Sequence, residues 1–134
     1  MLRRVISILS GLFLGILIFM IIAVLCRSAF PFPENYEWLN EEDMENYIDG
    51  LPDRAFILIV TSHVLGAFLG ALIASLISLK HRFTNGIITA AILFTMIIIV
   101  NFTFDFPRFY IMLDTLLVAI FGFIGALIGQ RRNV

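Results

Sequence analysis

The sequence predicts an all-α, polytopic membrane protein: a four-transmembrane-helix bundle with a short amphipathic helix in its first extracytoplasmic loop. Three observations lead there. The chain of 134 residues is 60% hydrophobic and 14% charged, with a mean hydropathy of +1.01, against roughly 45–50% and about 25% in soluble domains. Four apolar stretches, at about 5–26, 55–79, 84–104 and 109–129, each supply the roughly 20 helical residues needed to cross a hydrocarbon core of about 30 Å. The charges, finally, are sorted between the connections. Residues 1–134 therefore read as a single transmembrane domain.

Span one follows Arg3 and Arg4. Its apolar run exceeds the 7–15 residues of a signal-peptide core and no A-x-A site follows it, so it reads as an uncleaved anchor. The paired arginines lack the wider twin-arginine context and are read as topology signals. Cys26 is the sole cysteine, which excludes an intrachain disulfide and a Cys-based metal site. The bulky Leu25 beside it argues against lipoprotein cleavage.

Residues 27–54 form the long extracytoplasmic loop, with eight acids and two arginines. Its first part, "AFPFPENYEW", combines prolines with aromatics suited to the headgroup level. In "NEEDMENYIDGLPD", Asn40 is a helix cap, Glu41, Glu42 and Asp43 favour the positive end of the dipole, and Gly50 closes the element before Pro52. Met44, Tyr47, Ile48 and Leu51 recur at i, i+3, i+4 and i+7, which predicts a short amphipathic helix lying on the outer surface. The acids have no EF-hand spacing and read as a solvated face.

Spans two, three and four are joined by "KHRFTN" and "TFDFPR", connections so short that consecutive helices must be antiparallel neighbours. Lys and Arg favour cytoplasmic connections. Arg3 and Arg4, Lys80 and Arg82, and Arg131 and Arg132 all lie on one side with no acid among them. Both termini are expected in the cytoplasm, in a multi-pass protein of the cell (inner) membrane.

Small residues recur where helices would meet. Span two carries Ser62, Gly66, Gly70, Ala74 and Ser78 at every fourth position, with Ala67, Ala71 and Ser75 in the adjoining row. Span four offers Gly122, Gly125, Ala126 and Gly129, and span one Ser7, Gly11 and Gly15. Helices in lipid gain little from hiding apolar side chains, so they associate through such close-approach surfaces. The groove suits packing within the chain or against a partner, either a second copy or another membrane protein.

Polar residues inside spans are expensive and mark sites. His63 lies nine residues beyond Arg54 and Asp114 six beyond Arg108, about 13 Å and 9 Å along their helices. Asn101 falls in the same outer zone. Helical angle turns His63 toward the face of Gly70 and Ala74, and Asp114 toward that of Val118, Gly125 and Gly129. These three residues are the candidate intramembrane cluster. It reads either as an interhelical hydrogen-bond lock or as a proton, ion or small-ligand site. One histidine and one carboxylate are too few ligands for a metal. Asp105 and Arg108 are expected to pair or cap in the outer turn.

No nucleophile with a base, phosphate loop or H-E-x-x-H is present, so neither an enzyme nor a cofactor is expected. The basic stripe with aromatics that would serve nucleic acid is missing too. The expected partner common to every reading is the lipid bilayer.

A 55-residue shift lays Pro52 on Pro107, Leu58 on Leu113, Phe68 on Phe123 and "GALI" at 70–73 on "GALI" at 125–128. A 76-residue shift lays "ILIFMIIAV" on "ILFTMIIIV". Either the two hairpins are a duplication, with a pseudo-two-fold axis along the membrane normal, or a small apolar alphabet matches itself by chance. The order "FPFP", "YIDGLPDRAF", "HVLGAFLGALIAS", Asn101 and Pro107 resembles a family of small bacterial four-helix membrane proteins to which no activity is attached. Its relatives often have tryptophan after the last proline, where this chain has Phe109 and Tyr110. Two functions follow as expectations: a structural or interaction protein using the small-residue groove, and a small transporter or channel using His63, Asn101 and Asp114.

Overall fold

A computed structural model describes residues 2–131 as an all-helical chain of five helices. They are α1 (Leu2–Ala29), α2 (Glu41–Asp49), α3 (Asp53–Ile77), α4 (Arg82–Thr103) and α5 (Arg108–Gln130). All but α2 are long and apolar enough to cross a membrane. Arg132, one of the basic residues expected at the cytoplasmic surface, lies outside the described residues.

The helices overrun the apolar stretches in most places. Hydropathy marks only the part of a helix that suits hydrocarbon, whereas backbone hydrogen bonding carries α1 back to Leu2 and on to Ala29. The exceptions are α4, which stops at Thr103, one residue short, and α3, which ends at Ile77. Ser78 leaves the helix with φ −70° and ψ 131°, and His81 then enters the left-handed region at φ 57° to start α4. Asp105 does the same at φ 51° in the other short turn. Histidine and aspartate are among the few side chains that accept this region at modest cost. No ion pair joins Asp105 to Arg108 among the described residues, so the expected pairing is replaced by a backbone turn.

Helix α3 is the hub. It packs on α1, α4 and α5; α4 also touches α1 and α5; α1 and α5 do not meet. A two-fold axis relating the hairpins would turn the α3–α4 contact into an α1–α5 contact, so the packing does not follow the symmetry that a duplication implies. Between α3, α4 and α5 lie Ala67, Ile97 and Val118, with Phe19 of α1 against them. Large apolar side chains such as Phe13, Met20, Ile99, Phe102 and Met112 point outward, as expected of helices whose solvent is lipid.

Helix α2 forms as its punctuation requires. Asn40 Oδ1 accepts from the Glu42 amide at 3.1 Å, and Gly50 N–H donates to Asn46 O at 3.1 Å. Its apolar face closes on its own loop rather than on another helix. Tyr47 Oη donates to Phe30 O at 2.7 Å, and Phe32, Tyr36, Trp38 and Tyr47 form one aromatic cluster. The Arg27 guanidinium lies 5.3 Å from the centroids of Phe32 and Trp38. Burial pushes the Tyr47 hydroxyl above its ordinary pKa, with smaller contributions from Cys26 and Tyr36 and an opposing one from Arg27.

Candidate functional site

The seams come first, because they position everything else. On α3, the row containing Gly66, Gly70 and Ala74 is covered by α1. A Cβ on Gly66 would strike the Phe19 ring and lie 2.9 Å from Gly15 O, and one on Gly70 would lie 2.8 Å from Gly11 O. The adjoining row faces α5. A Cβ on Gly125 would strike Phe68 O, one on Gly129 would lie 2.9 Å from Leu72 O, and one on Gly122 would meet Ala90 and Ala67. Both rows are therefore packed against the chain's own helices. Ser62 bonds back to Ile59 O at 2.8 Å within its own helix. Ser78 is beyond the end of α3 and belongs to a polar node instead.

With the helices this close, His63, Asn101 and Asp114 come together from α3, α4 and α5. His63 Nδ1 lies 2.9 Å from Asp114 Oδ2, and Asn101 Nδ2 donates to that same oxygen at 2.7 Å. Asp114 and Asn101 are fully buried, and the His63 side chain is 10% exposed. The His63 ring is set edge-on against Phe19, 5.4 Å between centroids. With Asp114 as carboxylate, His63 donates Nδ1–H, and the two donors on one oxygen fix both the imidazole tautomer and the amide orientation.

The second carboxylate oxygen is different. Asp114 Oδ1, Asn101 Oδ1 and the Tyr110 hydroxyl are buried and have no hydrogen-bond partner among the described residues. Tyr110 sits one helical turn before Asp114, hence on the same face of α5, wedged against Phe56 and Phe106 with centroids at 5.4 and 4.8 Å. A buried polar atom without a protein partner costs about 1–3 kcal/mol unless a proton or a small polar molecule bonds to it. Sequence reasoning passed over Tyr110; the signal was its i−4 spacing from Asp114. No group of three His, Cys, Asp or Glu side chains comes together among the described residues, so the donors here are one imidazole, one carboxylate, one amide and one phenol.

A second node, also passed over, lies at the end bearing the termini. Asn85 is fully buried. Its Oδ1 accepts from Arg4 Nε at 3.0 Å, and its Nδ2 donates to Ser78 Oγ at 2.8 Å and Ser7 Oγ at 3.2 Å. Ser78 Oγ in turn donates to Lys80 O at 2.5 Å. In the sequence Asn85 stands where the "KHRFTN" connection meets the span at 84–104; α4 starting at Arg82 places it a turn inside the helix.

No family model matches the chain, and neither a curated protein nor a solved structure shows significant similarity to it.

Proposed function

We propose that the protein is a multi-pass component of the cell membrane, with both termini in the cytoplasm, whose chemistry resides in the His63–Asp114–Asn101 cluster. The cluster holds and releases a proton or small cation in the half of the membrane nearer the acidic loop, which places the protein in the class of small transporters and channels. The observation that carries this reading is the asymmetry of Asp114. One oxygen takes two donors, while the other has none among the described residues, and neither the buried Asn101 Oδ1 nor the Tyr110 hydroxyl has a partner there. A lock built only for stability gains nothing from leaving those three groups unpaired. The eight acids of residues 27–54 would raise the local cation concentration at the mouth.

A structural role is the second reading, and the filled seams favour it. Small residues on α1, α3 and α5 make a self-contained bundle, in which the same three side chains are an interhelical lock worth about 0.6–2 kcal/mol. The two readings part at His63 and Asp114. Proteoliposomes containing the wild-type chain are expected to dissipate an imposed pH or Na⁺ gradient faster than protein-free vesicles, and Asp114→Asn and His63→Gln to abolish the difference. Nitrogen NMR of labelled His63 supplies the control: wild type shows the Nδ1–H tautomer, which Asp114→Ala converts to Nε2–H. Gradient decay equal in wild type and Asp114→Asn, with the tautomer as stated, leaves the cluster a structural lock.

A further inference from the structure

The end bearing the termini holds a cleft of about 400 Å³ lined by Arg3, Arg4, Ser78, Leu79, Lys80 and His81. We infer that this cleft binds the phosphodiester headgroup of an anionic phospholipid. Four features support it. The cleft wall carries Arg3, Arg4 and Lys80, all exposed, and the sequence has no Asp or Glu in residues 1–26, 54–104 or 115–134, so no acidic side chain lies near them. Arg4 is held in place: the buried Asn85 takes its Nε–H, which leaves the two Nη amines, without partners among the described residues, as a preset fork of the kind that matches phosphate oxygens.

The walls next to the basic rim are apolar. Leu2, Val5, Ile6 and Leu79 are 76, 52, 46 and 60% exposed, so an acyl chain has a surface to follow once the headgroup is seated. A soluble phosphate would use only the rim. Lastly, the loop that bears Lys80 and His81 is fixed, because Ser78 is bonded to Asn85 and Lys80 O, and Arg82 Nε donates to Ser78 O at 3.0 Å. The cleft thus combines held donors with a lipid-facing flank, at the level where basic pockets between membrane helices hold anionic headgroups. This inference rests on the chain spanning a bilayer and is independent of the proton or cation site.

The test is native mass spectrometry of the detergent-solubilised protein with equal amounts of phosphatidylglycerol and phosphatidylcholine of the same chain length. Phosphatidylglycerol is expected to be retained preferentially. Arg3→Gln and Lys80→Gln are each expected to reduce that preference by about fivefold, Arg4→Lys to reduce it although the charge is kept, and Arg108→Gln, at the opposite end, to leave it unchanged. An equal loss with Arg108→Gln, or no loss with the three cleft variants, overturns the site. Displacement of the lipid by millimolar inorganic phosphate overturns the lipid assignment in favour of a free anion. Recovery of the protein from cells without detergent would instead remove the membrane reading on which the inference stands.

Discussion

Replacing Gly11 or Gly125 by alanine adds one methyl group to a seam that has no space for it. A Cβ on Gly11 would lie 2.8 Å from Ala74 Cβ and 3.0 Å from Thr89 Cγ2, and would collide with Gly70 O. Carbon atoms pack at about 3.5–4.0 Å, so α1 has to retreat by roughly 1 Å along its contact with α3 and α4. On Gly125 the obstacle is the Phe68 backbone, with its carbonyl carbon at 3.1 Å and Cα at 3.2 Å. A backbone cannot turn aside as a side chain does. Overpacking of this kind costs about 1–3 kcal/mol, and the better helix propensity of alanine returns about 0.5–1 kcal/mol. The net expectation is about 0–2.5 kcal/mol of destabilisation, centred near 1 kcal/mol, a factor of roughly 5 in the unfolding equilibrium.

Gly122→Ala is the internal control. Its Cβ would meet Ala90 Cβ at 3.1 Å and Ala67 Cβ at 3.9 Å, a squeeze of a few tenths of an ångström, offset by the same propensity gain. It is expected to stay within about 0.5 kcal/mol of wild type. The assay is reversible unfolding in mixed micelles, followed by far-ultraviolet circular dichroism against the mole fraction of denaturing detergent. Wild-type stability for Gly11→Ala and Gly125→Ala would show that the seams are not closed in the lipid-like state. Equal losses for all three variants would show that backbone collision is not the cause.

Two further outcomes follow. Asn85→Leu deletes the bonds from Arg4 and to Ser7 and Ser78 and leaves these groups without partners, so it is expected to destabilise by about 1–3 kcal/mol in the same unfolding assay; a loss under 0.5 kcal/mol would contradict the node. Because Tyr47 is raised in the folded loop, the folded state keeps its proton when the unfolded loop has begun to lose it. The loop's stability is therefore full below the ordinary tyrosine value of about 10 and falls as pH rises from there through the folded value. Pulsed subtilisin cleavage of residues 27–54 is expected to accelerate above that pH, and Tyr47→Phe, which loses about 1 kcal/mol with its bond to Phe30 O, to be cut faster already at neutral pH. Cleavage insensitive to both would detach Tyr47 from the loop's closure.

Much of this molecule follows from local physics. Apolar runs of spanning length can satisfy their backbones in lipid only as helices, which is why four long helices were legible from composition and length. The cap at Asn40, the turn at Gly50 and the apolar face of α2 were legible because capping and 3.6-residue periodicity act within a few residues. Convergence of His63 and Asp114 could be anticipated, since polar groups avoid lipid and both lay on small-residue faces. Tertiary structure alone decided the rest. Whether the groove of α3 receives a partner or the chain's own α1 and α5 depends on which helices lie side by side, and a row of glycines looks the same in either case. The α3–α4 contact without an α1–α5 contact, the unpartnered Tyr110 and Asn101 oxygens, and the placing of Asn85 against Arg4 depend on residues 13 to 81 positions apart along the chain. Their juxtaposition is set by how closely the backbones approach, and periodicity carries no record of that distance.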